Sequence, residues 1–430
     1  MNKFSKSNHL VINSKEESIL LQLGTYGDIK YTFFDQSYKP VETLELHKNN
    51  VLKYSTAIDK MDKIHLVALM KSGELNYSIC EEKIWSNAII AKFDFRSKIY
   101  NNINILVDDE NVNIIYGYAN LINSNLWTIQ HVINNNQNWN KYNVTKFASH
   151  RMSTNFFVDI DSFGTIHLLY RAIESNASQI YHVFYNSYAN KWNPIPKKLT
   201  SSNANKIFPY IFVDTKDNLH GLWLEEIDKS YILKYSRLTS TGNEKYIWNQ
   251  IKIPYISDCN NTPIMFEEKG ILKIIYPKIN SIGYIYSLNS GSTWFEGDIF
   301  DTESSQINLV KVSNSTLKSK TTKINDIYCS MNEQLNFYFL DSFHSLNVKL
   351  SDHPSCKITG KSNQSIDEII RIEDVDVEIN QLLKSQLEIK DVLNKILDSQ
   401  NKIESRIEKI LSVLETKKDS IFYKLFNSSK

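Results

Sequence analysis

Histidine, carboxylate and arginine side chains are the groups in this chain that could do chemistry, and the first two recur at regular spacing. His65, His167 and His220 each open an apolar run (IHLV, IHLL, LHGL) shortly after an acidic residue, Asp59, Asp159 or Asp214. Three histidines brought together could bind a metal ion. Asn113 and Lys273 replace them in other copies, so hydrogen bonding within the fold is the better expectation, and no metal or other cofactor is expected. The acids, with Asp108 and Glu267 as further copies, invite a general acid/base reading. Their repetition argues for a turn instead: an active site is needed once, whereas a turn is needed in every copy. Cys80, Cys259, Cys329 and Cys356 are far apart and form no C-x-x-C pair, which fits neither a zinc motif nor a disulfide framework.

The elements that must position these residues are themselves repeated. An apolar strand ending in an acid, a polar turn and a second apolar strand recur as STAIDKMDKIHLVAL, INILVDDENVNIIYGY, NFFVDIDSFGTIHLLY, YIFVDTKDNLHGLW and PIMFEEKGILKIIY. A weaker copy, HLVINSKEESILLQL, sets Asn13 at the same place. The copies lie about 50 residues apart, the size of a four-stranded propeller blade. Five of the 7 tryptophans, Trp85, Trp139, Trp192, Trp248 and Trp294, begin the last segment of a unit. Each unit reads as four strands, which in the fifth are PYIFVD, LHGLWL, ILKYSRL and WNQIKIP.

A lone sheet of this kind leaves apolar faces bare, and a radial array covers them. The expected fold is therefore an all-β propeller over residues 1–352. Six units are legible, and QINLVKVSN, INDIYCSMN, QLNFYFLDSF and LNVKL supply an incomplete seventh that residues before His9 would complete. Seven blades are expected, six being the alternative. On such a ring the loops leaving the second strands gather Tyr118, Arg171, Glu174, Glu225 and Glu226 at one end. Charges beside an aromatic platform suit a polar ligand such as a sugar.

The stretch YSLNSGSTW falls between the third and fourth strands of the sixth unit. Its Ser287, Gly291, Thr293 and Trp294, with Asn289 where the pattern has Asp, resemble the Asp box (BNR repeat) of sialidase-type propellers, Ser-x-Asp-x-Gly-x-Thr-Trp. YSICEEKIW, ending at Trp85, is a degenerate copy without the glycine. The resemblance implies a structural turn remote from the catalytic face. It also implies three substrate-gripping arginines, an early Arg-Ile-Pro, and a Tyr/Glu nucleophile with an Asp acid. Here the ring has only Arg96, Arg151, Arg171 and Arg237 and no Arg-Ile-Pro, so sialidase activity is disfavoured.

Lys+Arg number 49 against 48 Asp+Glu, so no net field favours nucleic acid or an anionic membrane. The richness in Asn, Lys and Ile suggests an AT-rich bacterial genome. MNKFSKSNHLVINSKEES has no apolar core, and no run is long enough to span a bilayer. The expected location is the cytoplasm, or a surface reached by a non-classical route.

After a linker at 353–365 the character changes. Residues 366–418 carry a heptad run through Ile379, Leu382, Gln386, Ile389, Leu393, Ile396, Gln400, Ile403, Ile407 and Ile410. Isoleucine at most d positions, with apolar e and g positions, favours three or four strands over two, so a homotrimer is expected, with a tetramer as the alternative. A helix folded back on its own propeller is the competing reading. Residues 419–430 form a tail. Together these features suggest an oligomeric, lectin-like protein that displays propeller heads for multivalent recognition of glycans or surface ligands. A glycoside hydrolase and an intracellular protein-interaction scaffold are the alternatives.

Overall fold

A computed structural model describes residues 8–340, apart from 109–110, 136–137, 150–155, 176, 243–244, 303–306, 316–321 and 332–333. The heptad positions from Ile379 to Ile410, the linker, the tail and the residues before Asn8 lie outside the described residues.

Runs rich in β-branched and aromatic residues form strands throughout, and each tetrad folds as an antiparallel meander. The first contains Asn8–Ile12 (β1), Ser18–Leu23 (β2), Ile29–Phe34 (β3) and Pro40–His47 (β4). The second contains Val51–Ile58 (β5), Ile64–Met70 (β6), Glu74–Glu81 (β7) and Ile84–Lys92 (β8). Lys98–Val107 (β9), Asn111–Asn120 (β10), Asn123–Asn135 (β11) and Asn138–Ala148 (β12) make the third. The fourth has Phe156–Ile160 (β13), Ile166–Glu174 (β14), Ala177–Asn186 (β15) and two short pieces, Lys191–Trp192 (β16) and Lys197–Lys198 (β17), both paired with β15. Lys206–Val213 (β18), Leu219–Ile227 (β19), Ser230–Leu238 (β20) and Trp248–Gln250 (β21) form the fifth. The sixth is Ile264–Glu268 (β22), Ile271–Pro277 (β23), Ser281–Ser287 (β24) and Phe295–Asp301 (β25).

Four more strands follow: Ile307–Asn314 (β26), Thr322–Ile324 (β27), Asp326–Met331 (β28) and Leu335–Phe337 (β29). β26, β28 and β29 are antiparallel to one another, and β26 pairs in parallel with β1, so they do not stand as a separate sheet. β27 joins the inner edge of β22. The first strands β1, β5, β9, β13, β18 and β22 pack in succession around an axis, and β28 against β22 with β26 against β1 closes the circuit. This is an all-β, propeller-like arrangement of small antiparallel sheets.

Between sheets the contacts repeat. Tyr31, Tyr77, His131, His182 and Tyr235, all on third strands, each meet the tryptophan of the next sheet: Trp85, Trp139, Trp192, Trp248 and Trp294, at ring-centre distances of 5.1 to 6.1 Å. At the closure Phe339 takes the tryptophan's place against Tyr284 (4.6 Å), and Tyr38 meets Phe337 (5.1 Å). The recurring tryptophans therefore seal one sheet to the next.

The first-to-second-strand turns also repeat. One carboxylate or amide oxygen of Asn13, Asp59, Asp161 and Asp214 accepts two backbone N–H bonds, at 2.8–3.0 Å. In the fourth unit the turn residue is thus Asp161 and not Asp159. The chain reads Asp-Ile-Asp there, and only the second acid has the six-residue offset to the histidine that Asp59 and Asp214 share. The second oxygens of Asp59, Asp161 and Asp214 bond His65, His167 and His220 at 3.2, 3.3 and 3.1 Å.

Candidate ligand-binding site

Three first strands carry irregularities on the axis. Pairing slips at Leu52, near Asn102 and near Phe208, and Asn102 and Phe208 have φ of 52° or less on the positive side (48° and 52°). Such bulges re-aim side chains where a regular strand would pack them away. On β9 the Asn-Asn-Ile-Asn run at 101–104 interrupts the apolar pattern; Asn102 ties its amide to the Phe156 carbonyl at 3.0 Å, and Asn101 and Asn104 face lysines.

The result is an axial cavity of about 580 Å³ bounded by β1, β5, β9 and β13 on one side and by β26 and β27 on the other. Its charged residues are Lys53, Lys311, Lys323, Asp159 and Asp326, beside His9 and a set of amides and hydroxyls. Lys53 donates to Asn101 at 2.7 Å. Lys311 reaches Asn104 at 3.2 Å and Ser55 at 3.4 Å. Lys323 lies 3.6 Å from Asp159 and donates to the Ile160 carbonyl at 3.2 Å. Asp159, released from the turn, also accepts the Val213 N–H at 2.6 Å.

Desolvation governs the ionisation of these groups. Burial pushes the Asp326 carboxyl up to about 7, although Lys311 and a hydrogen bond with Tyr210 pull the other way. Burial lowers Lys311, with Asp326 and Asp159 restoring part of its basicity, and burial also lowers Lys53. His9 is kept neutral by burial first and by the Lys311 charge second.

The cavity leads to a mouth of about 650 Å³ at the end carrying the first-to-second-strand turns; Ile58, Val107, Ile160 and Asn314 line both. Two aromatics stand there with much of their surface in solvent, Phe163 (63% exposed) and Tyr188 (84%). The turn acids Asp59, Asp108 and Asp161 rim it.

No protein-family model and no curated protein matches the chain. Among solved structures, it is similar to the fucose-specific lectin from Aleuria aurantia at 12% identity, covering 71% of this chain and 99% of that one, with a TM-score of 0.41. It is also similar to a Lactobacillus plantarum protein at 11% identity over 68% and 84% of the two chains, TM-score 0.46. A third is the α-L-arabinofuranosidase of Fusarium graminearum complexed with an iminosugar inhibitor, at 9% identity over 76% and 98%, TM-score 0.41. These likenesses are remote in both sequence and superposition.

The residues nominated from sequence lie at the second-strand ends, the opposite end of the strands from the mouth. Tyr118 lines a separate hollow of about 260 Å³, with Lys98 4.8 Å above its ring. Arg171 is buried, and burial lowers its basicity. Glu174 pairs with Lys198. Glu225 pairs with Lys206 and Lys234 at 3.7 and 3.5 Å, and Glu226 accepts from Asn205 at 3.1 Å. The structure brings Glu225 and Glu226 to one strand end, and leaves Tyr118 on another sheet.

The turn at 287–294 is closed by its own side chains. Ser287 Oγ donates to Asn289 Oδ1 (3.0 Å) and accepts the Gly291 N–H (2.9 Å). Asn289 accepts the Thr293 N–H and donates to Thr293 Oγ1, both at 2.9 Å. Trp294 donates to the Gly291 carbonyl at 3.2 Å. Gly291 has φ +85°, and a Cβ there would lie 2.1 Å from the Tyr235 hydroxyl.

The axial lysines and Asp326 escaped the sequence reading, though a signal existed. Lys53 and Lys311 interrupt VLKYSTA and INLVKVS, strands otherwise apolar enough to be buried on both faces. Among the described residues, no group of three or more His, Cys, Asp or Glu side chains could hold a metal ion, and no helix is long and apolar enough to cross a membrane.

Proposed function

We propose that this protein is a lectin-like, carbohydrate-binding protein whose ligand enters the axial cavity past Phe163 and Tyr188. The observation that carries the reading is the pairing of exposed aromatic faces with a cavity lined by amides, hydroxyls and ammonium groups. A sugar ring has an apolar face for the aromatics and hydroxyls for the amides, so it matches both parts of the site.

The strands β26, β28 and β29 are a seventh, incomplete blade, supported by the aromatic contacts of Phe337 and Phe339, which stand where the other blades use tryptophan pairs. The turn at 287–294 is a sialidase-type Asp box with Asn289 in the acid's place. Residues 366–418 form a trimeric coiled coil displaying the heads, and Tyr118, Arg171, Glu174, Glu225 and Glu226 form a secondary rim for ligand.

A glycan array with the full chain tests the reading. Binding is expected, and Phe163→Ala and Tyr188→Ala should each weaken it; unchanged binding by both would remove the axial site. Light scattering tests the trimer, and a monomeric mass would end the display model.

One observation favours a second reading, a glycoside hydrolase. Asp159 and Asp326 share the cavity, and burial lets the second hold its proton to about pH 7, as a general acid requires. Turnover of a chromogenic glycoside, lost in Asp326→Asn, would support it over simple binding.

A further inference from the structure

We infer that the ligand of the axial cavity carries an anionic group, a carboxylate or a sulfate, held by Lys53, Lys311 and Lys323. The inference rests on the axial cavity being the ligand site.

Three ammonium groups and two carboxylates face this cavity, and the excess charge is positive. The balance is more uneven than the count. Asp159 is engaged by the Val213 N–H and by Lys323, and Asp326 is half neutralised near pH 7. Lys53 donates to the Asn101 amide oxygen and Lys311 to the oxygens of Asn104 and Ser55, all of them neutral acceptors. Neutral acceptors offset an ammonium charge less than a carboxylate does, and Asp326 and Asp159 offset that of Lys311 only in part, so an entering anion would supply charge the cavity lacks.

The placement is also directional. Lys323 sits beside Asp159 at the level where the cavity meets the mouth, Lys311 lies further in on β26, and Lys53 stands near the far end of β5. Two of the three lysines come from the strands after the sixth sheet. The closing strands therefore bring most of the positive charge to the axis. Each charge-assisted bond to an anion is stronger than its neutral counterpart and falls off with salt.

Titration calorimetry of the full chain with methyl glucuronide, methyl glucoside and inorganic sulfate separates the outcomes. The glucuronide should bind at least about tenfold tighter than the glucoside, with an affinity that falls as salt rises. Lys53→Gln and Lys323→Gln should each cost about tenfold for the glucuronide, and clearly less for the glucoside, which loses only a hydrogen bond and no ion pair. Lys53 and Lys323 are chosen because each is only partly buried, and circular dichroism checks that each variant folds. Equal binding of the two glycosides would overturn the anion inference and leave the carbohydrate reading standing. Binding of sulfate with neither glycoside would uphold the anion inference and end the carbohydrate reading. No binding of any of the three would overturn both.

Discussion

The seams between sheets and the axis they surround both bury polar side chains, to opposite ends. At the seams, Asp, His, Tyr and Trp recur with one geometry: Asp214 bonds His220, His220 bonds Tyr235 at 2.7 Å, and Trp294 lies against that tyrosine. In the second sheet Asp59, His65, Tyr77 and Trp139 do the same, with His65 and Tyr77 at 2.6 Å. In the first of these sets every side chain finds its partner inside the fold, Trp294 donating to the Gly291 carbonyl, which is what a buried polar network needs in order to stabilise. On the axis nothing repeats. Asp159, Asp326 and three lysines come from β5, β13, β26, β27 and β28, and their charges do not cancel. Repetition marks what holds the ring, and singularity marks where a ligand can be met.

Acid should separate the two regions most sharply. Burial depresses His65, His131 (to about 3) and His182 at the seams. The unfolded chain therefore binds more protons than the folded one below the ordinary histidine value of 6.5, and stability is lost as pH falls from there. Asp326 acts with the opposite sign: held up at about 7, it contributes stability below its unfolded value of 3.8 that is lost as pH rises through 7. Three histidines outweigh one carboxyl, so urea midpoints should fall below pH 6.5, less steeply in His131→Asn and more steeply in Asp326→Asn. A flat profile from pH 7 to 4 would show that the seams do not depend on neutral imidazoles.

Removing a seal comes next. Trp192→Ala deletes a buried indole that also donates to His131 at 3.2 Å, and should cost about 3–5 kcal/mol by urea unfolding. Gly291→Ala should cost about 3 kcal/mol, through both its positive φ and the Tyr235 hydroxyl. Gly270→Ala has a similar φ, +79°, with open space around it, and should cost only about 1 kcal/mol. Asp161→Ala loses two turn bonds and should cost about 2 kcal/mol. Phe163→Ala, two residues on but exposed at the mouth, should stay within about 0.5 kcal/mol while weakening ligand binding. If Phe163→Ala destabilised as much as Asp161→Ala, the mouth would belong to the framework.

Much of the framework was legible because it is periodic. The tryptophans of the last segments, the strand tetrads and the YSLNSGSTW turn all sit where their spacing places them, since a repeated residue at a repeated offset answers a repeated local need. The Asp159 assignment failed within that same logic. Two acids two residues apart satisfy the pattern equally, and only the hydrogen bonds of Asp161 to the Phe163 and Thr165 N–H groups choose between them. The site was much less legible. Strand phase places Tyr118, Arg171 and the three glutamates at one end of the ring but does not show which side chains already have ion-pair partners, as Glu174 and Glu225 do.

The sequence by itself determined the sheets, their order and their seams, because hydrophobic alternation, turn chemistry and aromatic spacing act over a few residues or one repeat. Tertiary structure alone decided the axis. Lys311 and Lys53 are more than two hundred residues apart in the chain, yet they line one cavity because β26 returns to pair with β1. No local pattern encodes that parallel pairing; it follows from closing the ring, which buries the last sheet's open face and brings otherwise unrelated charges together.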